Sequence, residues 1–106
     1  MYKAEYTNEA IKQLKTLDKV YEKKIVAGII AFENIGTQYK NLNTLGDGLY
    51  EIKSGDVRAY FKYAKDKIII VGFIVLKKTQ KAPKRYIEQA KANIEKYFQE
   101  HKELQP

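Results

Sequence analysis

Nine consecutive residues, "IIIVGFIVL" from Ile68 to Leu76, contain no charged side chain and nothing more polar than glycine. A strand with one solvated face alternates apolar and polar residues, so an unbroken run marks a strand covered on both faces. Spanning a bilayer as a helix takes about 20 apolar residues, which this run does not approach. The chain must therefore supply elements for both sides of a central strand.

The surrounding sequence supplies them. "YKAEYT" (Tyr2 to Thr7) reads as a short strand, and Thr7 or Asn8 can cap the helix after it. Ile11, Leu14, Leu17, Tyr21, Ile25, Ile29 and Phe32 recur at helical spacing, with Asp18 placed to cap a second helix and Gly36 to end it. Thr37 to Thr44 is polar and aperiodic and reads as a loop. "LGDGLYEIK" then turns through Gly46 and Gly48 into a strand, "SGD" turns again, and "VRAYFKYA" is the next strand. "KDK" (Lys65 to Lys67) leads into the apolar run. Pro83 suits the first turn of a final helix carrying Ile87, Ala90, Ile94, Tyr97 and Phe98. The expected order is β-α-α-β-β-β-α, an α+β domain over residues 1–106 with its helices packed on one face of a small antiparallel sheet.

Alternation in the middle hairpin separates two faces. Val57, Ala59, Phe61 and Tyr63 form one apolar set with Tyr50 and Ile52. Pairing Lys53 with Arg58 and Glu51 with Tyr60 keeps that set together. Glu51, Lys53, Arg58, Tyr60 and Lys62 then share the other face, which is either a solvated sheet face or a seat for a polyanion. Coverage of the apolar run favours a groove over a flat surface. Lys77, Lys78, Thr79 and Gln80 follow at the strand end, and Lys81, Lys84 and Arg85 line the entry to the last helix. Cations at a helix start oppose the macrodipole, so helix optimisation does not explain them, although solubility would.

Twenty Lys plus Arg against thirteen Asp plus Glu leave a net charge of +7, which favours nucleic acid, an acidic protein or an anionic surface as partner. Nine tyrosines offer ring faces for stacking on bases. There is no cysteine, and neither zinc, dinucleotide nor P-loop spacing occurs. His101, the single histidine, reads as a solvated helix-end residue. No cofactor and no metal site is expected, and the N-terminus has no signal-peptide stretch, so a cytoplasmic protein away from the membrane is expected.

"LGDGLYEIK", "VRAYF" and "LKKTQKAPKRYIEQAKANIEKY" together resemble the RelE superfamily of toxins, in particular its HigB-like, phage-derived branch. The similarity spans about Leu45 to Tyr97. It implies a microbial-RNase-like fold and metal-independent, ribosome-dependent endoribonuclease action on mRNA. It also implies silencing by a cognate antitoxin, expected to be a small helix-turn-helix protein. By that resemblance Lys53, Arg58, Lys77 and Lys78 would stabilise phosphate charge, and Glu51 would act as base, with a lysine of lowered pKa as the alternative. Tyr97, the late tyrosine, would act as acid or orient the phosphate. Tyr60, Lys62, Gln80, Lys81, Lys84 and Arg85 would hold RNA. The chain departs from the pattern at Lys53, where many relatives have arginine. It departs again at Val57 before Arg58, at Phe73 where some have histidine, and at Lys96 before the tyrosine. The alternative is a non-catalytic nucleic-acid- or antitoxin-binding module on the same fold. Glu51 discriminates, because an acid beside a phosphate path weakens a pure binding surface.

Overall fold

The computed structural model describes residues 1–79 and 81–106, so the RNA-binding expectation for Gln80 lies outside the described residues. The elements are β1 (Lys3–Tyr6), α1 (Asn8–Thr16), α2 (Lys19–Ile35), β2 (Leu42–Gly46), β3 (Leu49–Ser54), β4 (Val57–Tyr63), β5 (Ile68–Leu76) and α3 (Lys84–Glu100), with short 3-10 turns between some of them. They form one five-stranded sheet in the order β1-β5-β4-β3-β2. The α+β class and the central place of the apolar run, now β5, agree with the sequence reading. Among the described residues, no helix is long and apolar enough to cross a membrane.

Three details differ from expectation. First, the sheet is mixed: β1 pairs parallel with β5, while the other neighbours are antiparallel. Second, residues read as loop form β2, which pairs with β3 from Leu42↔Ile52 to Gly46↔Leu49. Its residues are mostly solvated and hold no alternating apolar set, so periodicity gave no signal. Third, the helices do not share one face. Ile25, Ile29 and Phe32 of α2 pack on Ile52, Val57, Ala59, Phe61, Ile69 and Val71. Ala90, Ile94 and Phe98 of α3 pack on Leu49, Tyr60, Ile70 and Phe73, on the opposite side. The unbroken β5 run needs both covers, and burying one such side chain contributes roughly 1.5–3 kcal/mol.

Close approach of α3 depends on a glycine. A bulge shifts the register between Tyr60↔Phe73 and Phe61↔Val71, leaving Gly72 between the two pairs. A Cβ there would stand 2.4 Å from Ile94 Cγ1 and 3.0 Å from the Ala90 carbonyl oxygen. Asn93 of α3, itself buried, donates from Nδ2 to the Gly72 carbonyl at 2.9 Å. The helix therefore lies directly over the bulge and walls one side of the hairpin's second face.

Candidate nucleic-acid interface

The β3–β4 pairing is the one alternation predicted: Lys53 stands opposite Arg58 and Glu51 opposite Tyr60. Their face is not open, because α3 and the segment before it cover much of it. Glu51 and Arg58 are only 2% and 3% exposed, and Tyr60 is fully buried. Of the two readings of this face, a freely solvated sheet face is excluded, and Arg58 is enclosed. Its Nη1 donates to the carbonyls of Gly55 at 2.7 Å and Val57 at 3.3 Å, which folds the side chain back over the hairpin turn. Its Nε lies 3.8 Å from Glu51 Oε2, an ion pair without a hydrogen bond.

This cluster is under-bonded. Glu51 Oε2, Arg58 Nε and the Tyr60 hydroxyl are buried without a hydrogen bond of good geometry, as is the Tyr63 hydroxyl away from the groove. The Tyr60 hydroxyl nevertheless lies within reach of the Glu51 carboxylate. Folded proteins rarely leave such groups unmet, and each unmet group costs about 1–3 kcal/mol. Burial, and after it the Glu51 carboxylate, pushes the Tyr60 phenol far above its ordinary pKa. Glu51 Oε1 is met by Asn43 Nδ2 at 3.3 Å. Nothing in the polar, aperiodic sequence around Asn43 marks it as a site residue; only pairing β2 against β3 brings it opposite Glu51.

In front of the cluster lies a groove of about 490 Å³, lined by Asn43, Thr44, Glu51, Lys53, Lys81 and Ile87 among others. One carboxylate, Glu51, and two lysines, Lys53 and Lys81, border this space.

The remaining sequence-predicted residues divide. Lys77 is buried, its ammonium donating to Thr79 O at 2.5 Å and Thr79 Oγ1 at 2.7 Å, whereas Lys78 is exposed. Neighbouring side chains at a strand end diverge, as alternation requires. Lys84 and Arg85 are exposed at the start of α3, and Arg85 lies 4.9 Å over the Tyr86 ring. Tyr86 in turn packs on Phe73 at 5.1 Å, an aromatic contact that charge counting overlooked. Tyr60 cannot present its ring to a ligand here, because it is enclosed beneath α3 beside Phe73 at 5.7 Å. Lys62 lines a different cavity, with Asp47, Tyr63 and Glu95.

Tyr97 is also not brought to the groove. Its hydroxyl donates to Glu5 Oε1 of β1 at 2.6 Å. β1 and β3 are separated by two strands in the sheet, so that contact is about 14 Å from β3 at ordinary strand spacing. Burial, and then the bond to Glu5, raise the Tyr97 phenol to about 12. His101 is half-buried rather than solvated, stacked on Tyr97 with centroids 4.0 Å apart and its Nδ1 3.0 Å from the Tyr97 carbonyl. Among the described residues, no group of three or more His, Asp or Glu side chains is placed to hold a metal ion.

The fold and sequence can be set beside known proteins. Comparison with curated proteins returns no match. The toxin–antitoxin complex RelBE2 of Mycobacterium tuberculosis contains a chain that superposes with a TM-score of 0.62 at 12% identity, covering 72% of this chain and 98% of that one. The isolated RelE toxin of E. coli gives 0.61 at 14% identity, over 87% and 98%. An archaeal RelE–RelB complex from Pyrococcus horikoshii gives 0.59 at 20% identity, over 74% and 98%. These likenesses establish the fold. Residues 12–95 match the family described as phage-derived protein Gp49-like. With most of its length in that match and a sheet and helices arranged as in RelE toxins, the chain belongs to the phage-derived Gp49-like family and has the RelE toxin fold.

Proposed function

We propose that this protein is the toxin of a toxin–antitoxin pair, a cytoplasmic endoribonuclease that cuts mRNA held on the ribosome. The observation that carries the reading is the buried, under-bonded Glu51–Arg58–Tyr60 cluster facing a lysine-lined groove. A buried carboxylate and guanidinium with atoms left unmet contribute no stability by it, and polar groups buried beside a groove in this way are candidates for function. The toxin–antitoxin complexes among its structural neighbours support the assignment of an antitoxin partner.

In the reaction, Glu51 takes the proton of the ribose 2′-hydroxyl, and that oxygen attacks the adjacent phosphorus. Lys53 and Lys81 bind the non-bridging oxygens as charge builds on them, with Arg58 adding positive charge beneath the carboxylate. The bond to the 5′-oxygen breaks and leaves a 2′,3′-cyclic phosphate, and a lysine ammonium at the groove protonates the departing oxygen. No histidine stands in the groove, so chemistry on free RNA is slow, and orientation by the ribosome supplies much of the rate.

Induction in bacteria with mapping of mRNA 5′ ends tests this. Growth arrest is expected, with new ends on translated messages and none on a message stripped of its start codon. Equal cutting of both messages refutes the ribosome requirement. Burial of Glu51 and Arg58, with Tyr97 held on β1, favours one second reading, a non-catalytic binding module. Glu51→Gln separates the two: it abolishes cutting in an enzyme and tightens RNA binding in a module.

A further inference from the structure

Asn43 stands directly opposite Glu51 in the sheet, and its backbone is held on both sides of that position. Leu42 pairs with Ile52 before it and Thr44 with Tyr50 after it, and the register shifts only beyond Thr44. One residue earlier, the Asn41 carbonyl accepts from Lys53 N at 2.9 Å. Paired residues on neighbouring strands send their side chains to the same face. Asn43 and Glu51 therefore meet at the groove, which both of them line.

The two oxygens of the Glu51 carboxylate lie in different surroundings. Oε2 is buried and 3.8 Å from Arg58 Nε. Oε1 lies 3.3 Å from Asn43 Nδ2. Asn43 is exposed, so the oxygen it bonds is the one turned to the groove. A carboxylate has no proton to donate, which fixes the amide with its NH2 end on Oε1. The remaining contacts do not direct the carboxylate: Arg58 Nε is beyond hydrogen-bond distance, and the Tyr60 hydroxyl lies near it without good geometry. Asn43 supplies the directional bond, and a donor of this kind favours the ionised form of the acid it meets.

We propose that Asn43 is a positioning residue for the general base, aiming Glu51 Oε1 at the ribose 2′-hydroxyl and holding it ionised. This rests on the nuclease reading above and adds to it a role for β2. The two parts of the role have opposite effects on rate. Removing the donor makes Glu51 a stronger base, which by itself speeds proton transfer where Glu51 is ionised. It also frees the carboxylate to turn, and small misplacements of a catalytic group are costly. A fall in rate on the pH plateau therefore reports lost aim, and a shift of the acidic limb reports lost support of the charge.

The test measures single-turnover cutting of ribosome-bound mRNA against pH, for the parent, Asn43→Ala and Asn43→Asp. Asn43→Ala is expected to lower the plateau about tenfold, the loss of one hydrogen bond to a charged group, and to move the acidic limb to higher pH. Asn43→Asp sets a like charge beside Glu51 and is expected to move the limb further, by about one pH unit. The titratable groups facing Glu51 are Arg58 and Tyr60 of β4, Lys53 of β3, Lys81 before α3 and, beyond Tyr60, Tyr86 of α3. All of them are unchanged in these variants, so a shift of the limb belongs to position 43. Carbon-13 NMR of the Glu51 carboxyl in the free protein should show the same order of titration without RNA. Because Asn43 is exposed, the urea midpoint should stay near the parent's. A parental limb and plateau in Asn43→Ala overturn the proposal. A lowered plateau with limb and carboxyl titration both unmoved overturns it too, since that is loosening without contact to the base. Parental cutting in both variants refutes this role alone and leaves the nuclease reading standing, whereas a parent that cuts no mRNA refutes that reading and this role with it.

Discussion

Glu51 and Arg58 form one buried pair, so a change at either residue bears on stability as well as on chemistry. Arg58→Ala leaves Glu51 buried without the cation it is paired with, and breaking a buried pair from one side costs roughly 3–5 kcal/mol. A lowered denaturation midpoint in urea is expected, alongside loss of activity. Glu51→Gln keeps the shape and the capacity to accept from Asn43 while removing the base. It also leaves the Arg58 guanidinium buried without its counter-charge, so it is expected to lower the midpoint as well, with a loss of up to roughly 3–5 kcal/mol, and activity is compared on the folded fraction. Cutting of ribosome-bound mRNA should fall by about 10²-fold or more, the usual contribution of a general base. A Glu51→Gln protein that cuts at the parental rate would remove Glu51 from the mechanism. The roles of these residues were partly legible. Alternation put Glu51, Lys53 and Arg58 on one face in the register observed, but it could not show that a helix buries that face. Burial by a distant element leaves no mark on the period of the strand it covers.

At the scale of elements, α3 is seated at two points that make separable predictions. Over β5, Ile94 fills the space that a side chain at Gly72 would need. Gly72→Ala is expected to destabilise by about 1–3 kcal/mol through overpacking, and Ile94→Val in the same chain should recover part of that loss. Simple additivity of the two changes in urea unfolding would show that they do not meet. At its C-terminal half, α3 is pinned to β1 by the Tyr97–Glu5 bond. The phenol of Tyr97 is raised to about 12, and that of Tyr6 likewise, by burial first and nearby carboxylates after it. A raised phenol favours the protonated folded state. Its contribution is complete below the ordinary tyrosine value near 10 and is lost as pH climbs from there through about 12. Stability should therefore fall across that interval, and Tyr97→Phe should make the fall shallower. An unchanged slope would mean that Tyr97 titrates normally. The sequence made β5 readable because nine apolar residues admit few other uses. It hid the two-sided packing of the helices because Tyr60 alternates with charged residues on its strand, whereas with Leu49 it forms the seat of α3. It hid β2 because an edge strand needs only backbone pairing, which side-chain patterning does not record.

Across the whole molecule, the charge of +7 becomes a prediction about salt. Lys78, Lys81, Lys84 and Arg85 are exposed along one stretch from the end of β5 into α3, beside the groove. Such cations bind single-stranded RNA largely by releasing its counterions, with a log–log slope of about −0.7 per phosphate neutralised. If all four engage, affinity for a short RNA should fall with a slope of about −3 in salt, with little dependence on base sequence. Lys78→Ala or Lys84→Ala should each flatten the slope by about 0.7 without shifting the unfolding midpoint. Lys77→Ala belongs to a different class. Its ammonium is spent on Thr79, so its loss should loosen the turn after β5 and persist at high salt, where the effects of exposed lysines fade. Binding isotherms for the three variants over a range of salt decide the matter. Equal, salt-independent losses at Lys77 and Lys78 would mean that both touch RNA directly, contrary to their placement. A slope near zero for the parent would remove the polyanion path altogether, leaving the charge to act on an acidic partner protein.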